Sequence, residues 1–293
     1  MLKRQKAILD LLQAVGRPLD RTAFVKLVFL LRQETVLRRD PGFYDFVPYR
    51  FGPFSFTLYR DLRALRQQGF VSPDEDRIEL CSQTRDLTEM ETGVLSNSVR
   101  GAVSDVVKHY GQLNTRSLLR SVYTRYPWFA LKSELPERNL ATVQRPDNAP
   151  PAAYTIGYEG RSVDAFFNGL LERGITGIID VRANSVSRKY GFAGRRLGEF
   201  CKQLELQYNH RPALGISSAE RADLAGFDSY QRLLDRYEET MLPERSADIA
   251  EVGDLMQRQA SVLLCVEKDV RCCHRSRLAQ AVSEAADLEV IHL

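Results

Sequence analysis

Apolar residues in the first half of the chain recur mainly at helical spacing. Ile8, Leu11, Leu12 and Val15 predict a first helix, and similar stripes begin near residues 20 and 55. Apolar residues on either side of an acidic turn then predict a hairpin over 70–80. Three helices followed by a hairpin is the order of a winged helix-turn-helix. A further helical extension is predicted over 88–131.

Short apolar runs alternate with helical stripes in the second half. The runs that predict strands are 154–157, 175–181, 206–208, 261–266 and 289–293. Strands that alternate with helices predict an α/β domain with a mostly parallel sheet.

The two halves are separated by a segment with the composition of a linker. Three prolines fall within six residues, 146–151, and apolar periodicity is weak there. We therefore expect an α-rich winged-helix domain with a helical extension over 1–145, a linker over 146–153 and the α/β domain over 154–293.

Composition narrows the class of protein. Hydrophobic residues make up 44% of the 293, and no apolar run approaches the roughly 20 residues that cross a membrane. The N-terminus does not have the pattern of a signal peptide. Five cysteines, an odd number, argue against a secreted disulfide framework. We expect a cytoplasmic protein, with a homodimer as an option and no membrane partner.

Charge is distributed unevenly between the halves. Residues 1–150 carry 23 Lys and Arg against 17 Asp and Glu, whereas residues 151–293 carry 18 against 21. A basic N-terminal half favours a nucleic-acid partner, DNA first. Arg60, Arg63 and Gln67 on the third helix are candidates for the major groove. The acidic turn 74–76 would repel phosphate, so a protein partner for this domain stays open.

Polar residues follow two of the predicted buried strands. Asp180 and Arg182 come at the end of the run 177–181 and just after it, and Cys265 and Glu267 do the same for the run 261–265. In an open α/β sheet, ligands bind in the crevice beyond the carboxyl ends of the strands. The sequence therefore predicts a site at this edge of the second domain.

Cys273 is the candidate nucleophile. It falls where the last helix is predicted to begin, with arginines nearby, and both features lower the pKa of a thiol. Cys265 and Cys272 can equally be packed residues. Rhodanese-like sulfur transfer is another option, whereas the carboxylates and the absence of glycine in the loop after Cys265 argue against a phosphatase loop.

Zinc is a further option because cysteines and histidines are concentrated here. Neighbouring cysteines such as Cys272 and Cys273 rarely both reach one ion, and the chain contains no Cys-x-x-Cys pair. We therefore assign no metal and no cofactor.

Asp180 and Arg182 have two possible roles. They form a buried ion pair that shapes the loop, or Arg182 binds an anion while Asp180 or Glu267 moves a proton. The basic loop after them carries Lys189, Arg195 and Arg196, which would suit a polyanion.

The second half resembles the family catalogued as domain of unknown function 488. The resemblance covers about 154–293. Its carriers are Tyr154-Thr-Ile-Gly-Tyr-Glu-Gly, Ile178-Ile-Asp-Val-Arg182 with Ser187-Arg188, Tyr208-Asn-His210 with Leu214-Gly215, and Cys265-x-Glu267-Lys268 with Cys273-His274-Arg275. It implies a site built from these blocks.

The first half resembles winged-helix proteins related to the Panacea antitoxin domain and its YwgA-like relatives. The carriers are Lys26-Leu-Val-Phe-Leu30, Tyr49-Arg-Phe-Gly-Pro-Phe-Ser55 and Tyr123-Thr-Arg-Tyr-Pro-Trp128. This resemblance implies a toxin–antitoxin, phage-defence or DNA-linked setting.

Together these observations predict an enzyme that acts on nucleic acid or a nucleotide, in defence or DNA repair, targeted by the winged helix. Cys273, Glu267 and Asp180 are its candidate catalytic residues. The candidate anion-binding residues are Arg182, Arg275, Ser187, Arg188, His210 and His274. The alternative is a non-enzymatic DNA-binding or antitoxin-like regulator whose C-terminal pocket senses a small anion.

Overall fold

The structure is a computed structural model that describes residues 1–85, 95–144, 146–217, 219–221 and 226–293. The chain folds as two units, Met1–Arg145 and Pro146–Leu293. Among the described residues, no helix combines the length and the apolar character needed to span a bilayer.

The first unit is built mainly of helices with two small pairs of strands. Its elements are α1 Lys3–Val15, β1 Leu19–Asp20, α2 Arg21–Glu34, β2 Val47–Tyr49, β3 Gly52–Phe54, α3 Phe56–Gln67, β4 Arg77–Ile78, α4 Ser82–Arg85, α5 Asn97–Tyr110 and α6 Thr115–Arg125. Strand β1 pairs antiparallel with β4, and Val71 forms an antiparallel bridge with Leu80. The predicted hairpin over 70–80 is therefore present. The first part of the predicted extension, 88–94, lies outside the described residues.

Helix α2 is the centre of the first core. Asp20 caps it by accepting the backbone N–H of Ala23, a role that aspartate commonly has at the start of a helix. Phe24, Leu27 and Phe29 on this helix are completely buried. Phe29 packs edge-to-face against Phe46, Tyr126 and Phe129, so the loop between α2 and α3 contributes at least Phe46 to the core.

The second unit is an α/β domain with one parallel sheet. Its elements are β5 Ala153–Gly157, α7 Val163–Glu172, β6 Gly177–Asp180, α8 Gly194–Leu204, β7 Gln207–His210, α9 Phe227–Arg236, α10 Ser246–Arg258, β8 Ser261–Cys265, α11 Arg275–Ala286 and β9 Val290–His292. The strand order is β7-β6-β8-β5-β9, and every neighbouring pair is parallel. The α/β prediction is confirmed, and each predicted strand is present within a few residues of its expected bounds.

The central strands explain the continuous apolar runs in the sequence. All residues of β5, β6 and β8 are buried, as expected for strands covered on both faces. The π-helical turn Tyr237–Met241 extends α9. Tyr237 points its hydroxyl to the carbonyl of Leu214 at 2.7 Å, which anchors this turn near the carboxyl edge of the sheet.

One glycine sets the shape of that edge. A Cβ atom on Gly157, the last residue of β5, would lie 1.8 Å from the carbonyl oxygen of Glu267. Only glycine permits this approach, so the loop after β8 can fold across the end of β5. The loop thereby returns towards the end of β6.

Candidate functional site

The predicted strand-end residues converge in the second unit. Asp180 is paired with Leu264 in the β6–β8 register, and Gly157 is paired with Cys265 in the β5–β8 register. The carboxyl ends of three adjacent strands therefore share one edge. Two polar clusters lie along it, one after β6 and one after β8.

The first cluster is an ion pair between Asp180 and Arg182. Arg182 Nε donates to Asp180 Oδ1 at 2.7 Å and Nη2 donates to Oδ2 at 2.5 Å. Both side chains are buried, at 0% and 3% exposed. Tyr208 donates a further hydrogen bond to Asp180 Oδ2 at 2.7 Å, so both carboxylate oxygens have donors.

Arg182 has further internal acceptors. Its Nη1 donates to the carbonyl of Phe192 at 2.9 Å and to the hydroxyl of Tyr158 at 3.4 Å. Burial alone would lower the pKa of Arg182, but the hydrogen bonds and charge of Asp180 outweigh burial and raise it. The geometry therefore favours the ion-pair alternative for these two residues over anion binding.

The second cluster contains two thiols and an imidazole. Cys265, Cys273 and His274 are all nearly inaccessible to solvent. The thiol sulfurs and a ring nitrogen of His274 all lie within 4.8 Å of one another. Cys265 Sγ is 3.7 Å from His274 Nδ1, and the other ring nitrogen, Nε2, is 3.0 Å from the carbonyl oxygen of Val181. A carbonyl only accepts, so Nε2 carries a proton, and Nδ1 is the ring nitrogen that faces the thiol of Cys265.

Glu267 borders the thiols and is the polar group of this cluster that solvent reaches. Its side chain is 24% exposed, and Cys265 donates its thiol hydrogen bond to Glu267 Oε2 at 3.2 Å. Burial opposes ionisation, but the hydrogen bonds that the carboxylate accepts, first from Cys273, outweigh it and lower the pKa of Glu267. Arg221 Nη1 lies 3.9 Å from Glu267 Oε1. Glu267 is therefore a carboxylate at neutral pH.

The pKa expectation for Cys273 is wrong. Burial raises the pKa of this thiol well above its usual value, and the neighbouring Cys265 adds to the effect. Helix α11 starts at Arg275 rather than at Cys273, and His274 occupies the N-cap. The thiol is thus inside the protein instead of at an open helix terminus, where the dipole would stabilise a thiolate.

Arg275 is also buried and makes its hydrogen bonds to the protein backbone. It is 2% exposed, and its Nη1 and Nη2 donate to the carbonyls of Glu267 and Lys268 at 2.6 and 3.2 Å. Its buried Nε has no hydrogen-bond partner among the described residues. Arg275 therefore fixes the backbone of the loop that carries Glu267.

The remaining predicted anion-binding residues lie on the loop after β6 and on β7. Ser187 accepts hydrogen bonds from the Tyr158 hydroxyl and the Lys189 backbone, while Arg188 is exposed. His210 is an exposed residue whose Nε2–H donates to the carbonyl of Arg182 at 2.8 Å. The structure brings Ser187 close to the Arg182 cluster, and it places His274 in the thiol cluster instead.

The predicted nucleic-acid contacts lie in both units. On the second, Lys189 Nζ donates to the Tyr158 carbonyl at 2.8 Å, while Arg195 and Arg196 are exposed and pair with Glu199 on their own helix. These roles stay predictions.

On α3 of the first unit, the three residues predicted to contact nucleic acid differ in their ion pairing and exposure. Arg60 is tied to Asp61 at 2.9 Å, whereas Arg63 and Gln67 are exposed. Arg66, one turn from Arg63, donates to the backbone of the acidic turn at Ser72 and Asp74. Helix α3 and the turn are therefore held together, and Arg63 and Gln67 stay accessible.

Sequence reasoning missed two tyrosines of the site. Tyr158 stacks on Phe192 with ring centroids 4.2 Å apart and faces the Arg182 guanidinium, and Tyr208 completes the Asp180 carboxylate. The signal for Tyr208 was its place two residues before His210, since alternate strand residues share one face of the sheet. For Cys265 the sequence leaves a packed residue and a site residue open, and its position at the end of its strand, like that of Asp180, is the signal that favours the site.

Comparison with known proteins finds a family model that matches part of the second unit. Residues 162–282 match the family model described as "Domain of unknown function DUF488". This match supports the resemblance of the C-terminal half, while the resemblance of the first half to winged-helix antitoxin relatives stays a prediction. No curated protein and no solved structure matches the chain.

Proposed function

We propose that the chain is a hydrolytic enzyme that acts on a base of nucleic acid or of a nucleotide. The second unit does the chemistry and the first unit, which we interpret as a winged helix, binds the nucleic acid. Glu267 is the general base, and the thiol and imidazole groups beside it complete the site.

The observation that supports this proposal is the environment of Glu267. Its carboxylate is ionised, partly open to solvent and held by thiol donors on its inner side. A positioned carboxylate of this kind removes a proton from water as the water attacks. In the hydrolysis that we propose, the water oxygen bonds to an electrophilic carbon of the base, and the leaving group takes the proton.

The arginines favour a base over a phosphate as the reacting group. Enzymes that attack phosphorus need cations directed at the phosphoryl oxygens. Arg182 and Arg275 were the expected cations, but Asp180, the Tyr158 hydroxyl and backbone carbonyls already accept their hydrogen bonds. An uncharged electrophile such as a nucleobase ring carbon needs no such clamp.

The same observation weakens the regulator alternative. A pocket that senses a small anion also needs free donors, and two of the three arginines predicted to supply them, Arg182 and Arg275, are buried and engaged, which leaves the exposed Arg188. A carboxylate at the accessible side of the cluster would further repel an anion.

The first unit supplies the targeting in this proposal. The order α1, β1, α2, α3 and a hairpin, with β1 paired to β4, is compatible with a winged helix. Arg63 and Gln67 on α3 are exposed, as residues that enter a major groove must be.

The test is turnover by a Glu267→Gln variant. Nucleosides, nucleotides and short DNA and RNA strands are incubated with the purified chain, and altered bases are detected by mass spectrometry. We expect the wild-type chain to convert one of these classes and the variant to lose activity on the order of 10²–10⁴-fold, the usual contribution of a general base. Glu251→Gln is the control, because Glu251 lies on the surface in a pair with Arg211.

Two outcomes would overturn the proposal. One is the absence of turnover with every class of base, and the other is an unchanged rate in Glu267→Gln. DNA binding is scored separately through its salt dependence. Arg63→Ala should reduce the slope of log affinity against log salt by about 1 if Arg63 contacts one phosphate. A slope that does not change would show that Arg63 contacts no phosphate.

A further inference from the structure

The thiol cluster has the donor set of a metal centre. Two cysteine sulfurs and one imidazole nitrogen lie within 4.8 Å of one another in the second unit. Zinc binds thiolates at about 2.3 Å and imidazole at about 2.0–2.1 Å, so two such ligands of a tetrahedral ion lie about 3.6 Å apart. The distance between Cys265 Sγ and His274 Nδ1 is 3.7 Å. The separation of Cys265 and His274 therefore matches that of two zinc ligands, and the sulfur of Cys273 lies within 4.8 Å of both.

His274 is oriented as a metal ligand requires. Its Nε2–H donates to the carbonyl of Val181 at 3.0 Å, and the ring of Tyr237 packs edge-to-face against it at 5.4 Å. Metal-bound histidines usually donate their other N–H to a carbonyl or carboxylate, which fixes the ring and the tautomer. Here that hydrogen bond leaves Nδ1 directed at the thiols.

The two thiols of the cluster come from separate segments of the chain, so no short cysteine motif reveals them. The sequence argued against zinc because Cys272 and Cys273 are adjacent and rarely reach the same ion. In the fold, only Cys273 of this pair joins the cluster, and its partner is Cys265 at the end of β8. Cys272 lies outside the cluster and is partly exposed. The objection from spacing therefore no longer applies.

Charge balance also favours a divalent ion. Two thiolates and a neutral imidazole compensate a charge of +2, which a buried site requires. Soft thiolate ligands with one imidazole select zinc over magnesium or calcium. Binding releases two protons, one from each thiol.

We propose that Cys265, Cys273 and His274 bind one zinc ion, with its fourth position towards Glu267. Three protein ligands and one open position are the pattern of catalytic rather than structural zinc. A His-Cys-Cys zinc beside a non-ligating glutamate is the combination that hydrolyses the amino group of nucleobases. The binding of zinc stands on the ligand geometry alone, whereas its role in catalysis, and deamination as the reaction, rest on the function proposed above.

The experiment measures metal in the full-length chain, independently of turnover. The wild-type chain, Cys265→Ser, Cys273→Ser and the control Cys272→Ser are purified, stripped with a chelator, reloaded with zinc and analysed by elemental mass spectrometry. We expect about one zinc per chain in the wild type and in Cys272→Ser, and a loss of at least tenfold in the other two variants.

A second measurement uses the wild-type chain alone, so it tests the proposal even if the variants fail to fold. Cobalt(II) is added to the stripped protein, and coordination by two thiolates gives an intense thiolate-to-cobalt absorption that zinc displaces. The proposal is overturned if the reloaded wild type holds no zinc and gives no such absorption. It is equally overturned if Cys272→Ser loses as much zinc as Cys273→Ser, or if both cluster variants retain it.

The result separates metal binding from activity. Zinc bound without turnover would support the site and count against the proposed function. Turnover without zinc would support the function and reject the site. Turnover by the zinc-loaded chain that releases ammonia from a cytosine or adenine base would support both, and turnover without ammonia would reject deamination.

Discussion

Two polar clusters lie side by side at the carboxyl edge of the parallel sheet, and they differ in what completes them. After β6, Asp180 and Arg182 form an ion pair. Tyr208 also donates to the Asp180 carboxylate, and the Phe192 carbonyl accepts from the Arg182 guanidinium. After β8, two thiols and an imidazole face one another, with thiol hydrogen bonds to the Glu267 carboxylate and a long sulfur–nitrogen contact between Cys265 and His274. The first cluster needs no ligand, whereas the second has the donors for one.

This difference shows what the position of a residue at the end of a strand can predict and what it cannot. Polar residues at the ends of parallel strands converge on one crevice because of the topology. Whether they bind a ligand or each other depends on chemical pairing, since an arginine and a carboxylate neutralise one another and two thiols with an imidazole do not. The same position in the fold therefore holds a completed ion pair after one strand and a set of thiol and imidazole donors after its neighbour.

The largest expected effect is on the Asp180 cluster. Asp180→Ala leaves Arg182 buried without its carboxylate, and loss of one partner of a buried ion pair costs about 3–5 kcal/mol. We expect this loss in the free energy of unfolding of the second unit. Circular dichroism in urea, together with labelling of the buried thiols of that unit, follows its unfolding.

The matched change in the other cluster is Glu267→Gln. Glutamine keeps an oxygen that accepts from the thiols, so the variant should lose about 1 kcal/mol or less. The contrast between the clusters fails if Glu267→Gln destabilises the second unit as much as Asp180→Ala does.

Lys26 in the first unit shows a third arrangement. Its buried amine donates to a backbone carbonyl among the described residues. It is 1% exposed, and its Nζ donates to the carbonyl oxygen of Phe51 at 2.5 Å. Burial lowers the pKa of Lys26 to about 7, partly opposed by the charge of Asp20. Lys26, which has no carboxylate at hydrogen-bond distance in the part of the chain that the structure describes, thus gives up its proton near neutral pH, unlike the ion-paired Arg182.

This difference predicts a dependence of stability on pH. The folded pKa lies below that of the unfolded chain, so between about 7 and 10.5 the unfolded state binds more protons and stability rises with pH. The rise from pH 7 to 9.5 amounts to about 3 kcal/mol. Lys26→Met should remove it. The fluorescence of Trp128, the single tryptophan of the chain, follows unfolding of the first unit in urea.

Lys108→Met is the control, because Lys108 is exposed on the same unit. We expect it to keep the wild-type rise of stability with pH. If Lys26→Met and Lys108→Met show the same dependence, Lys26 is charged in the folded state and the arrangement described for it is wrong.

The sequence was a better guide to the backbone than to the pairing of side chains. Period and composition predicted the parallel sheet and the strand ends that carry Asp180 and Cys265, because burial on both faces leaves continuous apolar runs. They did not predict that Cys265 joins Cys273, since that contact depends on how the loop crosses Gly157. Nor did they predict the raised pKa of Cys273, because the depth of a side chain is a property of packing.

A smaller loss than that of Asp180→Ala is expected at Tyr208, whose hydroxyl is the third donor to Asp180. Tyr208→Phe keeps the ring and removes only the hydrogen bond to Asp180 Oδ2, which is a bond to a buried charge. Such bonds contribute about 1.5–3 kcal/mol, so we expect a loss of about 2 kcal/mol from the second unit. Tyr154→Phe is the control, because the Tyr154 hydroxyl donates to the neutral carbonyl of Pro150 and its loss should cost about 1 kcal/mol. Equal losses in the two variants would mean that Arg182 alone satisfies the Asp180 carboxylate. The clusters would then still differ in their pairing, but Tyr208 would have no part in the difference.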